Sequence, residues 1–284
     1  MAPNYRLRRA GRVTVSYVIL IGAALLTLTP LAYAFFASFK SQRELLSSGS
    51  QLLPEQWTFE NYERVWEVGD FAQYFANSVL VAVGVVILNV LGSAMLGYLL
   101  ARRLVIGSRA IEITFGAVLF LGVGTATLYP RFIIAQQLGL DNLWGVILVE
   151  VSGIAVIHTF LVRAFAQTLP QEIEDAAKVD GAGLWRTFWG IVFPLLRPIV
   201  VTILILSFQM AWNNFQIPYV FTLGDAAQRT LVVGVYALRA TDEGLQAYDL
   251  MLAGAMVIVV PIVIIFLCLQ RYFIRGLVEG GVKG

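Results

Sequence analysis

The sequence has little of what soluble proteins and enzymes carry: charge, histidine, cysteine and lysine. Only 13% of its 284 residues are charged, whereas soluble domains carry about 25%. It has one His, one Cys and three Lys. With 58% hydrophobic residues and a mean hydropathy of +0.77, the chain has too little polar surface to cover a soluble core. This shortage excludes an ordinary water-soluble enzyme, a disordered chain and a disulfide scaffold.

The scarce residue types also exclude particular chemistries. A P-loop places a lysine directly after a glycine, and none of the three lysines follows a glycine. His158 and Cys268 alone do not form a zinc site, and no serine-histidine-aspartate set is recognisable. The net charge of +2 is too small to indicate nucleic-acid binding. We therefore expect no catalytic residue, no metal site, no nucleic-acid partner and no cofactor bound by this chain.

Long apolar runs are what the sequence does contain. A helix needs about 20 residues to cross a bilayer core of about 30 Å, and unbroken runs of this length exclude the alternating strands of a barrel. We predict an all-α, polytopic membrane protein with a single transmembrane domain over residues 1–284. Its six predicted spans cover residues 13–36, 77–100, 111–130, 144–162, 198–222 and 248–270.

Basic residues predict the orientation of these spans. Fourteen of the 20 Lys and Arg residues lie in segments that share one side, namely residues 1–12, 101–110, 163–197 and 271–284. Because basic connections stay in the cytoplasm, both termini are predicted to be cytoplasmic, in a bacterial cell (inner) membrane. The first run is longer than the apolar region of an ordinary signal peptide, so we expect an uncleaved anchor.

The inner segment 163–197 has the pattern of a short cytoplasmic helix. Thr168 is suited to cap its start, and Gly181 is suited to a left-handed turn at its end. Its apolar face is predicted from small or medium side chains at helical spacing: Ile173, Ala176 and Ala177. Helices that lie on lipid prefer bulky apolar and basic residues, so this composition favours a protein partner.

The same segment carries a recognisable motif. Residues 175–182 read DAAKVDGA and residues 191–194 read IVFP. This spacing resembles the EAA loop of ABC-importer membrane subunits, which reads E-A-A, three residues, G, nine residues, then I-x-L-P. Asp175 stands in place of the Glu and Phe193 in place of the Leu. Further segments resemble the carbohydrate-importer (maltose-type, MalG-like) branch: residues 38–40 with 59–62, 212–215, and 270–277 with 281–284.

The resemblance implies the type I ABC importer (MetI-like) permease fold and the transport of a sugar of the di- or oligosaccharide class. It implies a heterodimer with a second homologous permease subunit, two ATPase subunits that hold ATP and Mg, and an extracytoplasmic solute-binding protein or lipoprotein. The ATPase-coupling residues that it indicates are Glu174, Asp175, Ala176, Ala177, Asp180, Gly181 and Ala182. It also implies a C-terminal tail that reaches toward the ATPases: Gly281, Val282, Lys283 and Gly284.

A polar cluster in the fifth run is a candidate substrate pathway. It consists of Gln209, Trp212, Asn213 and Asn214. Amide hydrogen bonds and aromatic ring faces suit an uncharged ligand that is rich in hydroxyl groups. Amides that bond to a neighbouring helix explain the pattern equally well, so both interpretations stay open.

Other polar residues in the runs are expected to serve packing. Asn89, Ser93, Gly97 and Ala101 recur every four residues, which favours close helix packing over substrate contact. His158 is expected to be a hydrogen-bonded structural residue rather than a proton relay.

The outer segment 37–76 has aromatic residues interleaved with charges. This pattern favours a surface helix at the lipid headgroups over a docking surface for an external partner. For the whole chain, the alternative function is a stand-alone secondary transporter or channel, which would need charges inside the membrane for ion coupling.

Overall fold

The computed structural model describes residues 3–48, 51–68, 70–121, 124–239 and 247–281, and all regular structure in these ranges is helical. The prediction of an all-α protein is thereby confirmed. The helices are α1 (Pro3–Ala37), α2 (Gln42–Ser48), α3 (Glu60–Glu67), α4 (Phe71–Ala101), α5 (Ser108–Leu121), α6 (Leu128–Gln137), α7 (Leu143–Ala166), α8 (Glu172–Val179), α9 (Leu184–Thr187), α10 (Phe193–Leu195), α11 (Arg197–Asn213), α12 (Gln216–Phe221), α13 (Leu231–Ala237) and α14 (Tyr248–Gly281).

Several of these helices have the length and apolarity of membrane spans. Three pass alone, namely Val13–Ala37, Phe71–Ala101 and Tyr248–Cys268. Two bent pairs pass when each is taken together, which raises the number to five among the described residues. The pairs are Leu143–Gly153 with Ala155–Ala166, and Leu184–Leu195 with Arg197–Asn213.

Two predicted spans are interrupted. In the run at 111–130, the described residues Gly124–Thr127 form a turn of 3-10 helix, and α6 begins after it at Leu128. The sequence of this turn, GTAT, contains a glycine and two threonines, which are poor α-helix formers. The run at 198–222 breaks after Asn213, where Asn214 takes an extended backbone conformation. The Asn214 side chain accepts a hydrogen bond from the Ile217 amide at 3.3 Å, an alternative to helix that asparagine favours.

The chain divides into two compact units, one formed by Met1–Gly69 with Val235–Ile258 and the other by Asp70–Gly234 with Val259–Gly284. A single transmembrane domain over residues 1–284 stays a prediction.

In the first unit, the segments 38–40 and 59–62 contact each other. The Asn61 amide donates to the backbone carbonyls of Ser38 and Lys40 at 2.9 and 2.8 Å. The hydroxyls of Ser38 and Tyr62 are hydrogen-bonded at 2.7 Å. The ring of Phe39 contacts four aromatic rings, those of Phe35, Trp57, Phe59 and Tyr62. Two motifs that lie about 20 residues apart in the sequence therefore fold into one local structure.

In the second unit, α4 is the central helix and packs against α7 and α11. Glycine allows the closest approach, since a Cβ built on Gly97 would lie 2.6 Å from the Val162 Cβ and 2.8 Å from the Thr159 carbonyl oxygen. The prediction that the stripe from Asn89 to Ala101 serves helix packing is confirmed at Gly97.

A buried polar cluster joins the same three helices. The amide nitrogen of Asn89 donates to the Ser207 hydroxyl at 2.6 Å and is hydrogen-bonded to Nδ1 of His158. The Ser93 hydroxyl donates to the Asn89 amide oxygen at 3.1 Å. All four side chains are buried. His158 is thus a hydrogen-bonded structural residue, as predicted.

The close contact at Gly97 makes a test of this packing. Gly97→Ala is expected to destabilise the protein by about 1–3 kcal/mol, because the added methyl group overfills the α4–α7 contact. Gly92→Ala is the matched control, since the same addition on the same helix meets nothing within 4 Å. Thermal unfolding in detergent measures both variants. Equal melting temperatures for the two would contradict the packing assigned to Gly97.

Candidate coupling site

The segment with the EAA-like motif forms helix α8 and the turn that follows it. Glu174 and Ala177 are buried, whereas Asp175, Ala176 and Val179 are exposed. Ile173 is also exposed, so two of the three residues predicted for the apolar face lie on the outside of the chain. The helix therefore turns Glu174 inward and presents a small-residue surface outward.

The start of α8 differs from the prediction. Thr168 does not cap the helix, because its hydroxyl donates to the Phe165 carbonyl oxygen at 2.7 Å, at the end of α7. The helix begins at Glu172, and the carbonyl oxygen of Gln171 accepts from the amides of Glu174 and Asp175, both at 3.0 Å. A threonine hydroxyl can also donate to a backbone carbonyl of the preceding turn, and Thr168 does so here.

The end of α8 is the one that the sequence predicts. Gly181 has φ of +79°, in the left-handed region that glycine enters without a steric penalty. The amide of Ala182 donates to the Ala177 carbonyl at 2.9 Å, and the amide of Gly181 donates to the Lys178 carbonyl at 3.0 Å. This hydrogen-bond pair defines a Schellman turn, which fixes the direction in which the chain leaves α8.

Exposed apolar side chains lie on both sides of this turn along the chain. Val179 is 88% exposed and Trp185 is 60% exposed, and Leu184 and Trp189 are exposed as well. Asp175 and Lys178 form an exposed ion pair at 2.9 Å, a type of pair that contributes little to stability. Several exposed large apolar side chains within one short segment are typical of an interaction surface.

The buried Glu174 has partners that the sequence did not reveal. Its carboxylate accepts hydrogen bonds from the Tyr98 hydroxyl and from Nε of Arg102, both at 2.8 Å. Both residues lie at the end of α4, more than 70 positions earlier in the chain. No spacing rule links them, and the only sequence signal is that Arg102 is the first charged residue after an apolar run.

The candidate substrate-pathway residues do not converge on one cavity. Trp212 is buried and stacks on Phe208, with ring centroids 5.4 Å apart. The side-chain amide of Asn213 donates to the Gln209 backbone carbonyl at 2.9 Å, within its own helix. Gln209 lines an apolar groove of about 340 Å³ between α11 and α14, and Asn214 holds the turn into α12.

The predicted C-terminal tail is described only at its first residue. Gly281 is the last residue of α14, and Val282, Lys283 and Gly284 lie outside the described residues.

Taken together, the long apolar helices and the exposed loop that follows α7 define a multi-span membrane permease. The family model for the inner membrane component of binding-protein-dependent transport systems matches residues 93–279, and the chain belongs to this family. The match includes the end of the central helix α4 and the whole of segment 163–197. Membrane localisation follows from this membership.

Individual relatives cover nearly the whole chain. The chain is 33% identical over 267 residues to the diacetylchitobiose uptake system permease protein NgcG of Streptomyces coelicolor, an alignment that spans 94% of this chain and 87% of that protein. It is 34% identical over 284 residues to the arabinooligosaccharides transport system permease protein AraQ of Halalkalibacterium halodurans, an alignment that spans 98% of this chain and 100% of that protein.

One solved structure confirms the fold. It is a bacterial ABC transporter involved in the import of the acidic polysaccharide alginate, with a TM-score of 0.78 and 24% identity over 93% of this chain and 98% of that chain. The predicted ABC-importer permease fold is thereby confirmed.

Proposed function

We propose that this chain is a permease subunit of an ATP-driven importer that moves a sugar of the di- or oligosaccharide class into the cell. The observation that carries the proposal is α8 with its Gly181 turn, a short helix that presents Asp175, Ala176 and Val179 outward. An ATPase subunit would dock on this surface, and ATP-driven closure of two ATPases would move α8. Both chain termini would then be cytoplasmic.

The remaining partners follow from this arrangement. A second, homologous permease subunit would complete the channel as a heterodimer, and an external solute-binding protein would deliver the sugar. ATP and Mg would be held by the ATPase subunits rather than by this chain. The C-terminal tail, Gly281 to Gly284, would approach the ATPases from the same side.

The sugar class is supported by two observations. NgcG and AraQ are named for the uptake of diacetylchitobiose and of arabinooligosaccharides, at 33% and 34% identity. The candidate pathway residues are uncharged, with the side chains of Gln209 and Asn213 exposed. Amides serve hydroxyl groups well, whereas an anionic solute would call for arginine.

Purification of the tagged chain from its native membranes tests this function. We expect an ATPase subunit to co-purify, and ATP hydrolysis by the complex to rise when a solute-binding protein and a neutral oligosaccharide are both added. A panel of oligosaccharides, with sn-glycerol 3-phosphate as an anionic comparison, identifies the solute class. A purified chain that transports solute into vesicles without an ATPase would instead establish the stand-alone transporter.

A further inference from the structure

An ion-pair cluster joins α8 to the end of α4. In addition to the two hydrogen bonds that Glu174 accepts, Nη2 of Arg102 lies 2.7 Å from Oε1 of Glu174. The same Nη2 donates to the Leu169 carbonyl oxygen at 2.9 Å. Arg102 therefore holds both α8 and the segment that leads into it, and Tyr98 adds a contact to the second carboxylate oxygen.

This cluster is shielded from water. The side chains of Arg102 and Glu174 are only 11% and 6% exposed. A buried ion pair persists only where good geometry and additional hydrogen bonds offset the cost of removing both charges from water. The Tyr98 hydroxyl and the Leu169 carbonyl supply those bonds, so this pair is unlike the exposed pair of Asp175 and Lys178 on the outer face of α8.

The cluster of Tyr98, Arg102 and Glu174 borders the apolar core of the second unit, to which Tyr98 itself belongs. The ring of Tyr98 lies 5.6 Å from that of Phe188, and both belong to the apolar core that α4 shares with α7 and the segment 188–203. By contrast, α8 is connected along the chain through residues 167–171 and 180–183, which are not helical. The ion pair is therefore a direct side-chain connection from α8 to α4, in addition to these chain connections.

We propose that Arg102 and Tyr98 are positioning residues that fasten α8 to α4 through Glu174, so that displacement of the docked helix reaches the central helix of the permease. The inference depends on the proposed function, in which α8 is the site of ATPase docking. It assigns different tasks to Glu174, which precedes the EAA-like motif, and to the first two motif positions, Asp175 and Ala176. Glu174 faces inward as the fastening, and Asp175 and Ala176 face outward.

The test measures solute uptake and ATP hydrolysis together, in vesicles that contain the complete transporter. For Arg102→Ala and Glu174→Gln we expect the amount of solute moved per ATP hydrolysed to fall about tenfold, within the range typical of coupling between two sites. Tyr98→Phe removes one bond to the carboxylate and is expected to give a smaller decrease. The exchanged pair, Arg102→Glu with Glu174→Arg, is expected to restore part of the ratio.

Glu112→Gln is the matched control, because Glu112 pairs with Arg163 at 2.8 Å between α5 and α7. This pair lies in the same unit but joins α5 to α7 rather than α8 to α4, and its loss is expected to leave the ratio unchanged. If Glu112→Gln lowers the ratio as much as Glu174→Gln, the specific role of the Arg102 cluster is wrong.

Other outcomes separate this inference from the proposed function. If Arg102→Ala lowers uptake and ATP hydrolysis in equal proportion, tracking the amount of assembled complex, the cluster contributes only stability and the inference fails. If the Arg102→Ala variant does not assemble, Tyr98→Phe still tests the inference. An unchanged amount of solute moved per ATP hydrolysed in this milder variant would overturn the inference. If the parental chain binds no ATPase, the proposed function itself fails.

Discussion

Replacing Gly181 with valine is expected to lower solute uptake by the assembled transporter about tenfold. The backbone at this position has φ of +79°, and a side chain in the left-handed region costs about 1–2 kcal/mol, which corresponds to roughly a factor of ten in an equilibrium. A Cβ added at Gly181 would meet no atom within 4 Å, so the penalty comes from the backbone conformation of this residue and not from a clash. The Schellman turn would open, and α8 would no longer present its outer face at a fixed angle.

Gly183→Val is the matched control for this change. Gly183 lies two residues further along the same exposed loop, has an ordinary φ of −71°, and a Cβ added there would also meet nothing within 4 Å. Gly181→Asn adds a side chain that tolerates the left-handed region and is expected to retain most of the uptake. Uptake assays in vesicles distinguish an effect of backbone conformation at Gly181 from an effect of side-chain bulk in this loop. Equal losses for Gly181→Val and Gly183→Val would show that side-chain bulk, not backbone conformation, matters here.

The end of α8 was predictable because its signals are local. A left-handed glycine and the hydrogen bonds it permits are all contained within one turn, so residues 175–182 determine the geometry largely by themselves. The same is true of the EAA-like spacing, which is a property of one loop. Short-range rules therefore describe the exposed part of the candidate site well.

The inward part of the site was not predictable in the same way. An acidic residue on a short helix is normally placed in water, and Glu174 is buried only because Arg102 and Tyr98 come to it from a distant helix. Only the tertiary arrangement creates that pairing. Ile173 and Ala176 are apolar but lie on the exposed side of α8. Under the proposed function this side contacts a partner chain, which explains why apolar residues are found there.

Hydropathy located the membrane segments but not their breaks. A sum over about 20 residues is insensitive to two or three weak helix formers in the middle, and these decide where a helix stops. The sequence GTAT at 124–127 and the Asn213–Asn214 pair both lie inside runs that are apolar on average. Asn213 and Asn214 are also candidate pathway residues. The end of α11 therefore coincides with a pair of polar side chains.

Asn89→Leu is expected to lower the melting temperature of the protein by about 5 °C or more. The change removes a completely buried amide and leaves His158, Ser93 and Ser207 without one partner each. A buried polar group that loses its partner costs about 1–3 kcal/mol. Measured hydrogen bonds between membrane helices average about 0.6 kcal/mol, and Ser93 and Ser207 keep hydrogen bonds to the Ala155 and Ile203 carbonyls. The larger part of the expected loss therefore comes from His158, which loses its close partner Asn89 and is left with a 3.5 Å contact to the Ser207 hydroxyl.

Asn213→Leu is the matched control for thermal stability, since Asn213 lies in the same unit with an exposed side chain and its replacement is expected to change the melting temperature little. Adding Ser207→Ala to Asn89→Leu is expected to cost less than the sum of the two single changes, because each single change already removes the hydrogen bond between Asn89 and Ser207. Thermal unfolding of the four variants in one detergent gives the coupling directly. Strict additivity, or an Asn89→Leu melting temperature equal to that of the parent, would mean that the cluster does not stabilise the contact of α4 with α7 and α11.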